Sequence, residues 1–265
     1  MIKISLRGAS LAACCALALA VTASAQEFQK TYRIGAGGSI SIHNVSGDII
    51  VNGYDGDAVL VSGFKEGRDR DQVEVEDLSG PNRVELRVRY PSPCNCDASI
   101  RFSVRVPRGA EYTLDQLSTA SGNIEVNGIR GRVRLRTASG DVLLKDIAGP
   151  TEAATASGEM RVRDVAGAVS AHSSSGDVDV EIARPEEAGD MEFSSASGDV
   201  HVKLPAQLDA DVELSSTSGS VKTDFPLETQ RRRHGAGSIA RGRLGSGSRL
   251  LRVSSASGDV TLSKL

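Results

Sequence analysis

Polar and apolar positions return along this chain with a short period. The pair Ser-Gly stands at Ser121, Ser139, Ser157, Ser175, Ser197, Ser218 and Ser257, at spacings of 18, 18, 18, 22, 21 and 39 residues. Counting each Gly as position one, position three is always apolar: Ile124, Val142, Met160, Val178, Val200, Val221 and Val260. Position five is Val126, Leu144, Val162, Val180, Val202, Thr223 and Leu262. This alternation predicts a strand with one buried face. In the three 18-residue copies an apolar position eight (Ile129, Ile147, Val165) and a Gly at position ten (Gly131, Gly149, Gly167) read as an inward side chain followed by a turn. A second strand then leads back to Ser-Gly, with Val133 and Leu135, Met191 and Phe193, or Val212 and Leu214 pointing inward. Two residues before each Ser-Gly a small hydroxyl residue recurs, at Thr137, Thr155, Ser173, Ser195, Ser216 and Ser255, which predicts a tight corner whose Gly takes positive φ.

A unit this small buries too few side chains to fold alone, so the copies must stack and pool their apolar residues. The predicted fold class is all-β: a β-solenoid or β-helix of coils of about 18–22 residues. The pattern appears once earlier, around Ser46-Gly47-Asp48 with Ile49 and Val51. Strand candidates fill the interval: 59–64, 72–76, 83–90, 100–106 and 111–117. We therefore divide the chain into residues 1–25, an irregular β region at 26–120 continuous with the solenoid through larger coils, and regular repeats at 121–265. A basic, Gly-rich loop at 230–247 enlarges the sixth coil. The last coil, at the chain end, is expected either to leave a short edge guarded by Lys264 or to meet a partner end to end.

Composition agrees with a core of Val, Leu, Ile and Ala, since aromatic residues make up 3% and Trp is absent. Residues 1–25 carry Lys3 and Arg7, an apolar run from Leu11 to Val21, and Ala23-Ser24-Ala25, the form of a signal peptide cut after Ala25. A lipoprotein anchored through Cys14 is the weaker alternative, because too little apolar chain precedes Leu11-Ala12-Ala13-Cys14. No other stretch reaches the roughly 18 apolar residues of a membrane helix, so the mature chain is expected not to span a membrane and to be periplasmic or secreted. Removing residues 1–25 takes two of 31 basic residues and none of 34 acidic ones, leaving a net charge of −5, which disfavours nucleic acid as a partner.

Recurring Ser-Gly-Asp-Val, the Val-Pro-Arg-Gly at 106–109 that leads into the first regular copy, and the Gly-rich segment before Ser257-Gly258-Asp259-Val260 resemble the bacterial domain-of-unknown-function family labelled "putative adhesin". The resemblance covers about residues 30–265. It implies a β-solenoid on exported or membrane-linked envelope proteins, often tied to envelope stress. It supplies no site residue.

The chemistry legible in the sequence is sparse. A row of Asp141, Glu159, Asp177 and Asp199 could present oxygens to Ca²⁺, which would make a Ca²⁺-dependent assembly module. The favoured reading has each side chain cap its own turn. Cys94 and Cys96 are disulfide candidates, with each other or with another chain, because exported thiols are seldom left free. Two cysteines without a nearby His make a poor metal site. Arg231, Arg232 and Arg233 could touch an anionic surface, though such a run is more often a solvated loop. A carbohydrate-active β-helix enzyme would need paired carboxylates on an outer face. Position four is too varied to supply them, running Glu125, Leu143, Arg161, Asp179, His201, Lys222 and Thr261, and His43, His172, His201 and His234 fall on different repeat positions. No Ser-based nucleophile motif stands out either. The favoured reading is a non-enzymatic envelope protein without a cofactor, an adhesin-like interaction module or structural scaffold that presents a long surface to an envelope protein or cell-surface component, with the solenoid ends open to self-association; a carbohydrate-active β-helix enzyme acting on envelope or extracellular polysaccharide is the alternative.

Overall fold

The structure, a computed structural model, describes residues 28–93, 95–185, 189–231 and 237–265. No α-helix occurs among them. The first part of the chain forms β1 (Phe28–Tyr32), β2 (Ser39–His43), β3 (Ile49–Tyr54), β4 (Val59–Glu66), β5 (Glu74–Asp77), β6 (Arg83–Arg89), β7 (Ser99–Pro107) and β8 (Thr113–Ser121). Strands of the regular repeat follow: β9 (Ile124–Arg130), β10 (Val133–Ser139), β11 (Val142–Ala148), β12 (Thr151–Ser157), β13 (Met160–Ala166), β14 (Val169–Ser175), β15 (Val178–Glu181), β16 (Met191–Ser197) and β17 (Val200–Leu204). The remainder is β18 (Ala210–Ser216), β19 (Val221–Thr223), β20 (Glu228–Arg231), β21 (Ser238–Leu244), β22 (Leu250–Ser255) and β23 (Val260–Lys264).

Each regular coil places one strand in each of two facing sheets. Sheet I runs β1-β4-β7-β3-β9-β11-β13-β15-β17-β23-β19, and sheet II runs β5-β6-β2-β8-β10-β12-β14-β16-β22-β18-β21-β20. Pairing between coils is parallel and in phase, so Ile124, Val142, Met160, Val178, Val200, Val260 and Val221 form one continuous row. All are buried, as are Val133, Leu135, Met191, Phe193, Val212 and Leu214 opposite them. In-phase stacking follows from the repeat length, because a slip of one residue would turn every apolar side chain outward.

Two corners close each 18-residue coil. At Gly140 (φ +151°) and Gly158 (φ +145°), an added Cβ would lie 2.0 and 2.1 Å from the carbonyl oxygen of the glycine one coil earlier. At the opposite corner, position seven carries the left-handed backbone that bends the strand: Gly128 at φ +69°, then Asp146 at +52° and Asp164 at +49°. Asp tolerates this conformation better than most residues.

Two expectations about organisation are corrected. The region before residue 120 contains two-strand coils, β2/β3 and the larger β6/β7, stacked in parallel on the regular ones. There β1, β4 and β5 run antiparallel and cap that end, and β8 shifts register against both of its neighbours. The stretch 230–247 is not one loop, because β21 pairs antiparallel with both β18 and β20 and extends sheet II at the opposite end. Most consequentially, stacking order departs from chain order: β22/β23 lie between β16/β17 and β18/β19. The last coil in sequence is therefore an internal coil with both edges paired. Lys264 guards no open edge; its amide donates to Asp224 Oδ2 and its ammonium sits 5.4 Å from the Phe225 ring centre.

A clamp ties the sheets together at the first end. The Tyr32 hydroxyl donates to Asp77 Oδ2 (2.8 Å), Lys30 Nζ donates to the same oxygen, and the Ser79 amide donates to Asp77 Oδ1 (3.0 Å). Burial pushes the Asp77 carboxyl up, but these donors outweigh it and hold the group far below the usual carboxylate range.

Two outcomes follow. Gly158→Ala forces a glycine-only backbone against Gly140, so it should lower unfolding free energy by about 1–3 kcal/mol in denaturant titrations. Gly109→Ala, with nothing near the added carbon, should change it little. Asp77 has a depressed folded pKa, so its stabilising contribution is present above its unfolded value near 4 and fades as pH falls below that. Thermal melts of Asp77→Asn should therefore lie below the parent at pH 7 and converge on it as pH falls below about 4.

Candidate functional site

The acidic row sits at the Ser-Gly corner, where its oxygens serve the stack. Asp48 Oδ1 accepts the Asn123 amide, Asn123 Oδ1 the Asp141 amide, and Asp141 Oδ1 the Glu159 amide, each at 2.8 Å. The row resumes from Asp177 to the Asp199 amide, from Asp199 to the Asp259 amide, and from Asp259 to the Ser220 amide. The expectation that each side chain caps its own turn is corrected: each caps the turn of the next coil. Glu159, one methylene longer, pairs with Arg161 instead. Among the described residues no three His, Cys, Asp or Glu side chains converge as a metal site would require.

A second ladder runs inside the same corner. The hydroxyls of Thr119, Thr137, Thr155, Ser173, Ser195, Ser255 and Ser216 donate to the carbonyls of Gly47, Gly122, Gly140, Gly158, Gly176, Gly198 and Gly258 respectively, each in the adjacent coil of the stack on the side of β1. These hydroxyl residues are buried, and no buried side-chain nitrogen or oxygen among the described residues lacks a partner. A small residue is needed here for the hydrogen bond as well as for space.

Cys96 is disulfide-bonded, while Cys94 lies outside the described residues. Arg231 ends β20, but its side chain, Arg232, Arg233 and His234 lie outside the described residues. His43 and His172 each stand three residues before a Ser-Gly pair, which corrects their assignment to different repeat positions. They share one outward row of sheet II, running His43, Ser118, Arg136, Ala154, His172 and Ser194. His201 projects from sheet I.

The outward face of sheet II is interrupted where β8 carries a bulge. Leu114 and Leu117 register with Val133 and Leu135 on β10, and with Ile40 and Ile42 on β2, so Asp115 is an extra residue. Asp115 and Gln116 both leave the core on the outer side. The sheet face opens there into a furrow of about 480 Å³ lined by His43, Gln116, Ser118, Arg134, Arg136 and Glu152. A shallower continuation reaches Ser170 and His172. Bulges often mark places where a sheet re-aims side chains.

Arg134 is held from both sides, by Glu152 (2.9 Å) and Asp115 (3.4 Å). Its hydrogen bond to Glu152 raises the guanidinium pKa and lowers that of the carboxyl. His43 Nδ1 lies 3.1 Å from Ser118 Oγ, and the ring of His172 bridges Ser170 and Ser194 at 2.7 and 2.6 Å. Together with the Gln116 amide and the Arg136 guanidinium, these groups make a donor-rich trough suited to oxygen-bearing ligands. The carboxylates of Asp115 and Glu152 are both engaged by Arg134. The sequence did carry a signal for the furrow: Leu114-Asp115-Gln116-Leu117 puts two polar residues where Val133-Arg134-Leu135 has one.

A family model, Toastrack DUF4097, matches residues 30–263. The chain belongs to this family. Toastrack DUF4097 is a domain of unknown function, and the match spans both ends of the stack and every coil between them. No curated protein matches the sequence. Two solved structures are similar at low identity. A "putative cell adhesion protein" from Clostridium sporogenes aligns at 9% identity and TM-score 0.33, covering 90% of this chain and 99% of its own. A "putative adhesin" from Bacteroides fragilis aligns at 16% identity and TM-score 0.38, covering 90% and 96%. Likenesses this distant say nothing about what the chain binds.

If the acidic row is an amide ladder, Asp141→Ala should strand the Glu159 amide and lower unfolding free energy by about 0.5–2 kcal/mol. Millimolar Ca²⁺ should leave the melting temperature of the parent protein unchanged; a rise would restore the cation reading.

Proposed function

We propose that the protein is a non-catalytic module of the bacterial cell envelope, exported after cleavage near Ala25, that holds an extended, oxygen-rich partner along the furrowed face of sheet II. The observation that carries this reading is the furrow at the β8 bulge. Most polar side chains at the corners are consumed by inter-coil hydrogen bonds, whereas Gln116 and Arg136 point outward from a rigid floor. An extended ligand crossing several strands can meet one donor per coil without ordering any loop, which keeps the entropic cost of binding low. Export is supported by Lys3, Arg7, the apolar run to Val21 and Ala23-Ser24-Ala25. No helix among the described residues is long and apolar enough to cross a membrane. The partner class that fits is a cell-surface component or envelope protein presenting carboxylates or hydroxyls.

The test compares the purified mature chain with Gln116→Ala/Arg136→Glu for retention on envelope fractions of its host, and assays both for release of saccharide products. We expect the double variant to fold normally and lose retention about tenfold, equivalent to about 1.4 kcal/mol, with no product from either protein. Undiminished retention would remove the furrow from the account, and turnover by the pure protein would replace the binding role with an enzymatic one.

A further inference from the structure

The internal position of β22/β23 has a physical consequence for the chain's partners. Their coil fills a slot with two walls. On one side, Leu251 and Val253 register with Met191 and Phe193 of β16, and Val260 and Leu262 with Val200 and Val202 of β17. On the other side the same four residues register with Val212 and Leu214 of β18, and with Val221 and Thr223 of β19. Corner bonds close both walls. Ser255 Oγ donates to the Gly198 carbonyl (2.8 Å) and the Asp259 amide to Asp199 Oδ1 (2.7 Å). Beyond the coil, Ser216 Oγ donates to the Gly258 carbonyl (2.7 Å) and the Ser220 amide to Asp259 Oδ1 (2.8 Å). No direct strand pairing joins β18/β19 to β16/β17, so the end coil is held to the stack through the inserted one.

The inserted coil is reached from β21 through residues 245–249, which cross the start of β18. Gly245 and Gly247 adopt φ of +62° and +76°, and Asp209 Oδ1 accepts the Gly247 amide at 2.7 Å. Opening this short crossing would free the coil and leave two unpaired edges facing each other, each matched in side chains and corner bonds to residues 250–264. Unpaired edges of this kind recruit strands strongly.

We infer that residues 250–264 are an exchangeable coil, and that the slot between β16/β17 and β18/β19 accepts the same coil from a second copy of this chain. Reciprocal exchange preserves every strand pair and corner bond and changes only the path of residues 245–249, the condition under which swapping closes a symmetric dimer at low cost. This inference is independent of the furrow.

Lys203 and Ser263 register on β17 and β23 and point outward, within disulfide reach across neighbouring strands. Full mature chains carrying Lys203→Cys or Ser263→Cys are mixed at the denaturant concentration where unfolding begins, returned to buffer and oxidised. Exchange predicts an interchain 203–263 disulfide about tenfold above that of a control mixture of Lys203→Cys with Lys145→Cys, three coils away on β11. Deleting Ser246–Ser248 should raise the interchain yield further by shortening the crossing. A 203–263 yield no greater than the control overturns the inference, whether or not the deletion variant folds.

Discussion

Everything in this stack depends on how closely two successive corners approach. Where Ser-Gly turns, the backbone of one coil lies so near the next that a single added carbon would fall on a carbonyl oxygen. Glycine alone meets that condition, and the close contact is what lets a side chain of one coil reach the backbone of its neighbour. Asp or Asn at position two then accepts the next coil's amide, and Thr or Ser two residues before Ser-Gly donates to the preceding glycine carbonyl. Together they satisfy corner groups that parallel pairing leaves open and fix the stack in one register. The strands between corners need only alternate.

A stack built this way ends in unpaired edges, and the chain manages them with segments that abandon the repeat. Antiparallel β1, β4 and β5 close one end, joined across the two sheets by Asp77 with Lys30 and Tyr32, while at the other end β20 and β21 extend sheet II and β19 is the last strand of sheet I. Chain order yields to these requirements, since the final coil is placed inside the stack and a hairpin finishes it. Surface ion pairs such as Arg163 with Asp179 and Arg134 with Glu152 decorate the faces but contribute little to stability at such exposure.

Period and inward set were legible in the sequence because they are local: the alternation after Gly122, Gly140 and Gly158 states which face is buried. The corner chemistry was half legible. Small hydroxyl residues and acids were visible at fixed positions, but their partners lie one coil away, and spacing alone does not separate a side chain that caps its own turn from one that caps its neighbour's. Stacking order was not legible, because β18/β19 and β22/β23 carry the same pattern and either would fit beside β16/β17. The furrow was signalled by the doubled polar pair Asp115-Gln116, which reads as ordinary strand variation until the flanking strands fix the register. The kinship of His43 and His172 was visible in their common distance from Ser-Gly.

For function, this architecture means that most polar chemistry is committed to holding coils together, and a binding role falls to the outward faces, above all the trough beside Gln116 and Arg136. The central claim, that inter-coil corner bonds hold the register, is tested most directly by native-state hydrogen exchange at the amides of Asp141, Glu159, Asp199 and Asp259. The account predicts that these corner amides, though in turns near the surface, exchange as slowly as the strand amides of Val142 and Val200 and open only with the whole stack. Exchange at the rate of a solvated loop, with the strands still protected, would contradict it.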